Sequence, residues 1–204
     1  EPIPAHVSIK ESVFPFRKFA GVDIALGPEM RSTGEVMGVS ERFSIAFAKS
    51  QLAAGVDFPT SGTIFVSVSS RHKDKIEVLC RRLVALGFDL IATQGTAERL
   101  ESVGVPVRRV RKLAEGHPNL IDHLKNGEVA LVINTPSGKG ARTDEGRIRA
   151  AAVQQGVPCI TTLPAAEAAV TAMEALRESE MEVEALQDRF GSKPTMFRGE
   201  GLAE

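Results

Sequence analysis

The chain has 204 residues, 43% of them hydrophobic and 25% charged. That is the profile of a globular protein of one or two domains whose core needs no disulfide or metal staple. Its 25 Lys+Arg against 26 Asp+Glu give a formal net charge of −1, and it has no Trp or Tyr, which argues against binding along a nucleic-acid backbone or stacking on single-strand bases. No apolar run approaches the roughly 20 residues that span a bilayer. No signal peptide is expected, and Cys80 and Cys159 lack Cys-x-x-Cys spacing. Neither nucleic acid nor membrane is therefore expected as a partner, and a reducing cytoplasm is the expected location. The first residue, Glu1 rather than Met, reads as a cut inside a longer chain.

Residues 1–55 carry an extended apolar segment at 6–16, ending near Pro15, and a stretch at 21–38 with four glycines and a proline. The first is expected as a strand and the second as an ordered loop. A helix is expected over 41–54, with Phe43, Ala46 and Phe47 on one side. One strand and one helix cannot close a core, so this region is expected to belong to something larger, followed by a linker at 56–60. From residue 61 the pattern is regular. Strands are expected at 63–68, 88–92, 105–110, 129–133 and 157–160, and helices at 73–86, 96–103, 118–126, 147–155 and 165–176. Glycines stand where helices should stop, at Gly87, Gly104, Gly127 and Gly156, and Pro106 marks the third strand as a sheet edge. Strands alternating with helices of 8–14 residues imply a five-stranded parallel, doubly wound α/β domain over 61–190. A polar tail at 191–204 is expected to be mobile.

In such a sheet, ligands bind beyond the carboxyl ends of the strands. Those ends carry Ser67, then Thr93-Gln94-Gly95-Thr96, Arg111-Lys112, Asn134-Thr135-Pro136-Ser137-Gly138-Lys139 and Thr161-Thr162. Hydroxyls, glycines, an amide and lysines converge there without a carboxylate, a composition suited to an anion. Thr93–Thr96 is the sharpest feature, because a glycine between threonines at a helix start offers free N–H groups and two hydroxyls to a phosphate. A plain helix cap is the competing reading. Lys73 and Lys112 add positive charge, and Asn134 can pair with a base edge or a ribose hydroxyl, which would make the ligand a nucleotide. The four histidines, His6, His72, His117 and His123, make no metal-ligand spacing, and Walker loops and Gly-x-Ser-x-Gly elbows are absent. Glu29 and Glu35 could serve as ATP–Mg carboxylates, but their glycine-rich loop is incomplete as a site, and Arg31 is expected to fix it by ion pairing.

The run Gly27-Pro28-Glu29-Met30-Arg31-Ser32-Thr33-Gly34-Glu35-Val36-Met37-Gly38 resembles the end of the second ATP-grasp half of the carbamoyl-phosphate synthase large chain. Val13-Phe14-Pro15-Phe16 before it and Ala46-Phe47-Ala48-Lys49 after it fit the same family, as do Ala92–Thr96, Val132–Thr135 and Thr161-Thr162 further on. The resemblance implies an ATP-grasp remnant at 1–55 and, from about 61, a regulatory domain that shares its fold with methylglyoxal synthase. It implies an enzyme that makes carbamoyl phosphate from bicarbonate, glutamine-derived ammonia and two ATP, for pyrimidine and arginine synthesis. ATP and Mg (or Mn) would be held upstream, with no catalytic residue, metal or cofactor in this stretch. The implied partners are the upstream ATP-grasp domains, a glutaminase small chain and a nucleotide monophosphate effector such as UMP or IMP, with a large-chain oligomer left open. Carried over by position, Lys73, Thr93, Thr96, Lys112 and Asn134 match effector contacts, and Ser67, Ser137 and Lys139 match weaker ones. Pro136 stands where some relatives have threonine, and Glu145, at a serine position, would oppose a phosphate. Glu11 matches one contact of an ornithine site between domains, but Cys159-Ile160 replaces the tyrosine–aspartate pair expected there, so no ornithine activation is expected. The enzymatic alternative is a methylglyoxal-synthase-like lyase acting on dihydroxyacetone phosphate. Against it, His117 occupies the position of that family's catalytic aspartate, and Asp122, a turn further on, is expected at the surface.

Overall fold

The computed structural model describes residues 5–19, 24–25, 30–69, 72–136 and 143–189. Five parallel strands form the central sheet: β3 (Thr63–Ser67), β4 (Asp89–Thr93), β5 (Arg108–Val110), β6 (Leu131–Asn134) and β7 (Cys159–Ile160), in the order β5-β4-β3-β6-β7. The chain runs outward from β3 to β5, then returns to lay β6 on the other side of β3. The order therefore reverses between β3 and β6, where Ser67 pairs with Asn134. β5 is an edge strand as expected, and Pro106 lies before it, outside the ladder.

Alternation along the strands sends side chains to both faces. On one face Ile64, Val66, Leu90, Leu131 and Ile133 pack with α2 (Lys73–Ala85), α3 (Gln94–Ser102) and α6 (Leu163–Glu178). On the other, Phe65, Ile91 and Val132 pack with Leu120 and Leu124 of α4 (Leu120–Lys125) and Ile148 and Ala152 of α5 (Asp144–Gln154). Covered on both sides, β6 is buried at every residue, as its unbroken apolar run demands. α2 stops where the sequence says it should. Gly87 takes φ 80°, Phe88 N–H donates to the Leu83 carbonyl at 3.1 Å and Gly87 N–H to the Val84 carbonyl at 2.8 Å, the pattern that closes a helix on a left-handed glycine.

The first region departs from expectation. Gly34–Gly38, placed in a loop from its glycine content, belongs to a strand, β2 (Gly34–Ser40), paired antiparallel with β1 (Val7–Val13) over seven residues. Glycine weakens a strand, but Gly38 has a packing reason to be there: a Cβ on it would lie 2.0 Å from the Ala46 carbonyl of α1 (Phe43–Ala53). Nor is this layer without a core. α1 packs on α6, and Ala48 of α1 and Phe58 after it join the cluster beneath the main sheet. A last helix, α7 (Leu186–Arg189), follows α6. No described helix is long and apolar enough to cross a membrane. The tail expected at 191–204, and Glu29 with its neighbours at 26–28, lie outside the described residues.

Candidate functional site

At the reversal point a cavity of about 150 Å³ opens between the carboxyl ends of the strands, the place where this topology presents ligands. Ser67 from β3, Thr93 from β4 and Arg111-Lys112 after β5 line one side, and Asp144, Glu145 and Ile148 of α5 line the other. The Ser67 and Thr93 hydroxyls stand 3.5 Å apart. α3 begins at Gln94 rather than Thr96, with Thr93 as the residue before its first turn in extended backbone (φ −69°, ψ 155°) and without a side-chain bond to the helix. The Thr93 hydroxyl is thus not consumed by capping, which removes the competing reading set against a phosphate at this turn.

Lys73 opens α2 and reaches across to this turn. A Cβ on Gly95 would come within 3.2 Å of its Nζ and meet nothing else within 4 Å. The ammonium thus lies close to the first turn of α3, where partial and full positive charge add, although neither Lys73 nor Thr96 lines the cavity itself. Thr96, 2% exposed, lies inside that first turn and accepts a long hydrogen bond from Val68 N–H at 3.5 Å, tying α3 to the loop after β3. The same loop is held from β6: Ser69 N–H donates to Thr135 Oγ1 at 3.0 Å, and His72 Nδ1 lies 3.1 Å from Thr135 Oγ1 and 3.2 Å from Ser69 Oγ.

Not every predicted residue fronts the cavity. Asn134 has zero exposure and does not line it. Its amide oxygen accepts from Arg149 Nη1 at 2.9 Å, and its amide nitrogen donates to the Ser67 carbonyl at 3.4 Å. Thr161 and Thr162 do not join the rim either: Thr162 caps α6 through Ala165 N–H at 3.3 Å, and Thr161 lines a different cavity. The rim is also not free of carboxylates, because α5 begins at Asp144 and turns Asp144 and Glu145 toward Lys112. Ser137 and Lys139 lie outside the described residues.

The residue that sequence reasoning missed is Arg149, which has zero exposure and heads the fully buried side chains by volume. The signal was available: Arg149 falls between Ile148 and Ala152 on the stripe that α5 buries, where a charge demands a partner. A second miss is the role of Asp122. It is half-buried, accepts from Asn119 N–H at 2.8 Å and lies 2.6 Å from His117 Nδ1, while Asn119 Oδ1 accepts from Ile121 N–H at 3.0 Å. This is a reciprocal cap on α4, and the backbone bond from Asn119, followed by His117, holds the Asp122 carboxyl below its usual range. The carboxylate nearest the catalytic position of a lyase is thus a structural cap.

A second cavity, of about 340 Å³, lies where the β1–β2 layer meets α5 and β7. Glu11, Arg17, Gln51, Cys159 and Thr161 line it, and Gln51 Nε2 donates to Glu11 Oε2 at 2.8 Å. Glu11, the one position that the resemblance matched to an inter-domain site, lines this cavity together with Cys159, which stands where that resemblance expects a tyrosine. The larger groove of about 560 Å³ at the amino ends of β3–β5 presents only Asp89 and Arg108 as charged groups. Among the described residues no cluster of His, Cys, Asp and Glu is placed to hold a metal.

Residues 75–161 match the family described as MGS-like domain. The chain is 73% identical over 93% of its length to the carbamoyl phosphate synthase large chain of Rhodopirellula baltica, of which it spans 18%. It is 49% identical over 94% of its length to the carbamoyl phosphate synthase large chain of Myxococcus xanthus, again spanning 18%. Over 91% of its length it is 50% identical to the carbamoyl phosphate synthase large chain, C-terminal section, of Methanopyrus kandleri, of which it spans 34%. The chain thus covers between 18% and 34% of the length of these curated relatives.

Proposed function

Residues 75–161 are an MGS-like domain in a chain similar over most of its length to carbamoyl phosphate synthase large chains, and from that premise we propose that it is the C-terminal, effector-binding part of such a large chain. The whole protein would make carbamoyl phosphate from bicarbonate, ammonia released from glutamine on a small chain, and two ATP. ATP and its Mg or Mn would be held upstream, with residues 1–55 closing the last ATP-grasp unit. The part described here would bind a nucleoside monophosphate such as UMP or IMP.

The observation that carries this reading is the turn at the end of β4: Thr93 without a capping bond and lining the cavity with Lys112, and Gly95 with no side chain and Lys73 Nζ close by. Ligand cavities that enclose a whole small molecule run to ~300 Å³ or more, so at about 150 Å³ this one suits the phosphate and adjoining sugar, with the base along the open mouth. Effector binding would be felt upstream because the β1–β2–α1 layer shares its core with the sheet, and a coupling of ~1–3 kcal/mol is enough for regulation.

Calorimetry and thermal shift on the full-length protein with UMP, IMP and ornithine test this. One of the two nucleotides is expected to bind and raise the melting temperature, and Thr93→Ala with Thr96→Ala to abolish the effect, while ornithine gives none. Thr93→Ala alone should not lower the melting temperature of the free protein, whereas Thr96→Ala orphans Val68 N–H and costs ~1 kcal/mol. Failure of both nucleotides to bind, or unchanged binding in the double variant, overturns the reading. The purified protein is expected to form no methylglyoxal from dihydroxyacetone phosphate.

A further inference from the structure

Arg149 carries a charge that proteins of this size seldom bury completely. It sits on α5 at zero exposure, and Asn134, also at zero exposure, is among its partners at 2.9 Å. Since one amide oxygen can accept in only one orientation, the guanidinium fixes which way the Asn134 amide faces, and so directs its nitrogen to the Ser67 carbonyl. Ser67 is the residue whose hydroxyl stands 3.5 Å from that of Thr93 in the cavity. The hydrogen bonds thus run from α5 through β6 and β3 to β4, crossing the point where strand order reverses. Neither Arg149 nor Asn134 lines the cavity.

We propose that Arg149 is a positioning residue of the effector site: by orienting the buried Asn134 amide it sets the separation of the β3 and β6 ends, and with it the Ser67–Thr93 pair that would receive the phosphate. Asn134 then acts from beneath the ligand rather than by touching a base. The inference rests on the effector reading above and adds a residue and a route to it. Removing the guanidinium frees the amide to turn over, and leaves the Asn134 oxygen buried without its donor, a change that local relaxation at the strand ends would absorb.

The test is a double-mutant cycle on effector affinity, read with UMP, or in every arm with IMP where the parent binds that nucleotide instead, and measured by calorimetry on the full-length protein. Arg149→Met keeps the volume and removes the donors, and Arg149→Lys keeps one donor and the charge. Each is made alone and on Asn134→Ala. Arg149→Met is expected to weaken binding about tenfold and Arg149→Lys less. On the Asn134→Ala background either change should add under ~2-fold, because a residue acting through another has no effect once that other is gone. A structural role alone would give the same loss on both backgrounds. Nucleotide binding by Arg149→Met within ~2-fold of the parent, or losses that add in the double variant, overturn the proposal. If Arg149→Met does not fold, the Arg149→Lys cycle decides by the same criterion. A parent protein that binds UMP or IMP while the cycle fails overturns this proposal alone; a parent that binds neither UMP nor IMP overturns the effector reading beneath it.

Discussion

Replacing Gly95 by alanine should separate the stability of this fold from its capacity for anions. Gly95 is the second residue of α3 and its φ lies outside the left-handed region, so alanine fits the backbone unchanged. Glycine within a helix costs roughly 0.5–1 kcal/mol relative to alanine, and about 0.5 kcal/mol is a fair share for a first-turn position. For a chain of this size each kcal/mol moves the melting temperature by about 2–4 °C, so Gly95→Ala is expected to melt ~1–2 °C higher than the parent. The new methyl group meets one thing, the Lys73 ammonium at 3.2 Å, which must swing a few tenths of an ångström aside. It also fills the space through which a phosphate would approach the α3 amides. Losing one charge-assisted hydrogen bond of about 1.5 kcal/mol corresponds to roughly tenfold in affinity. Differential scanning calorimetry and UMP titration on the same preparation read both quantities. A variant that binds UMP like the parent, or that melts lower, refutes the argument that this glycine exists for the ligand.

Other perturbations test the frame around the site. Arg82 on α2 donates to the two Glu174 oxygens at 2.8 and 2.6 Å and to Thr171 at 2.7 Å, a clamp from α2 to α6 that holds the Glu174 carboxyl below its usual range. Because that pKa is depressed in the fold, the stabilisation is present above the ordinary glutamate range and lost as pH falls through it. Glu174→Gln should cost ~0.5 kcal/mol near neutrality, after screening by water of a part-exposed pair, and flatten the acid limb of the melting profile. Burial pushes the Cys80 thiol from about 9 up to about 12, so its contribution holds below about 9 and fades as pH rises toward 12. Alkaline melting curves of Cys80→Ala should therefore fall less steeply than those of the parent. In the folded protein at pH 8, a thiol-labelling reagent should modify half-buried Cys159 well before Cys80.

The α/β domain was legible because its signals are local and agree with one another: β-branched strands, apolar stripes at helical spacing and a glycine closing each of α2, α3, α4 and α5. Errors arose where a long-range contact overrides composition. Nothing near Gly34–Ser40 announces a strand; its partner is β1, a glycine-rich stretch away, and Gly38 is tolerated because α1 presses its backbone there. The strand-end hydroxyls and lysines were readable from the rule that parallel sheets present their carboxyl ends, and Ser67, Thr93 and Lys112 do converge. The roles of Asn134 and Arg149 were not readable, since both depend on strand order, and periodicity says which residues are buried but not which strands are neighbours. Asp122 was misplaced for a related reason. Asn119 and Asp122 have the spacing of a reciprocal cap, but the expected helix began at Pro118, one residue before the cap itself.

The contact of α1 with α6 bears on how this molecule can be divided. Ala48 and Phe58 contribute to the same apolar cluster as Met173 and Val170 of α6, with Phe47 and Val56 packed against it. A truncated product starting at residue 61 would leave the flank of α6 on which α1 packs wet and prone to self-association. Protease digestion should meet the junction near residue 56 as resistant backbone, and heat should melt the hairpin layer and the five-stranded sheet in a single cooperative step.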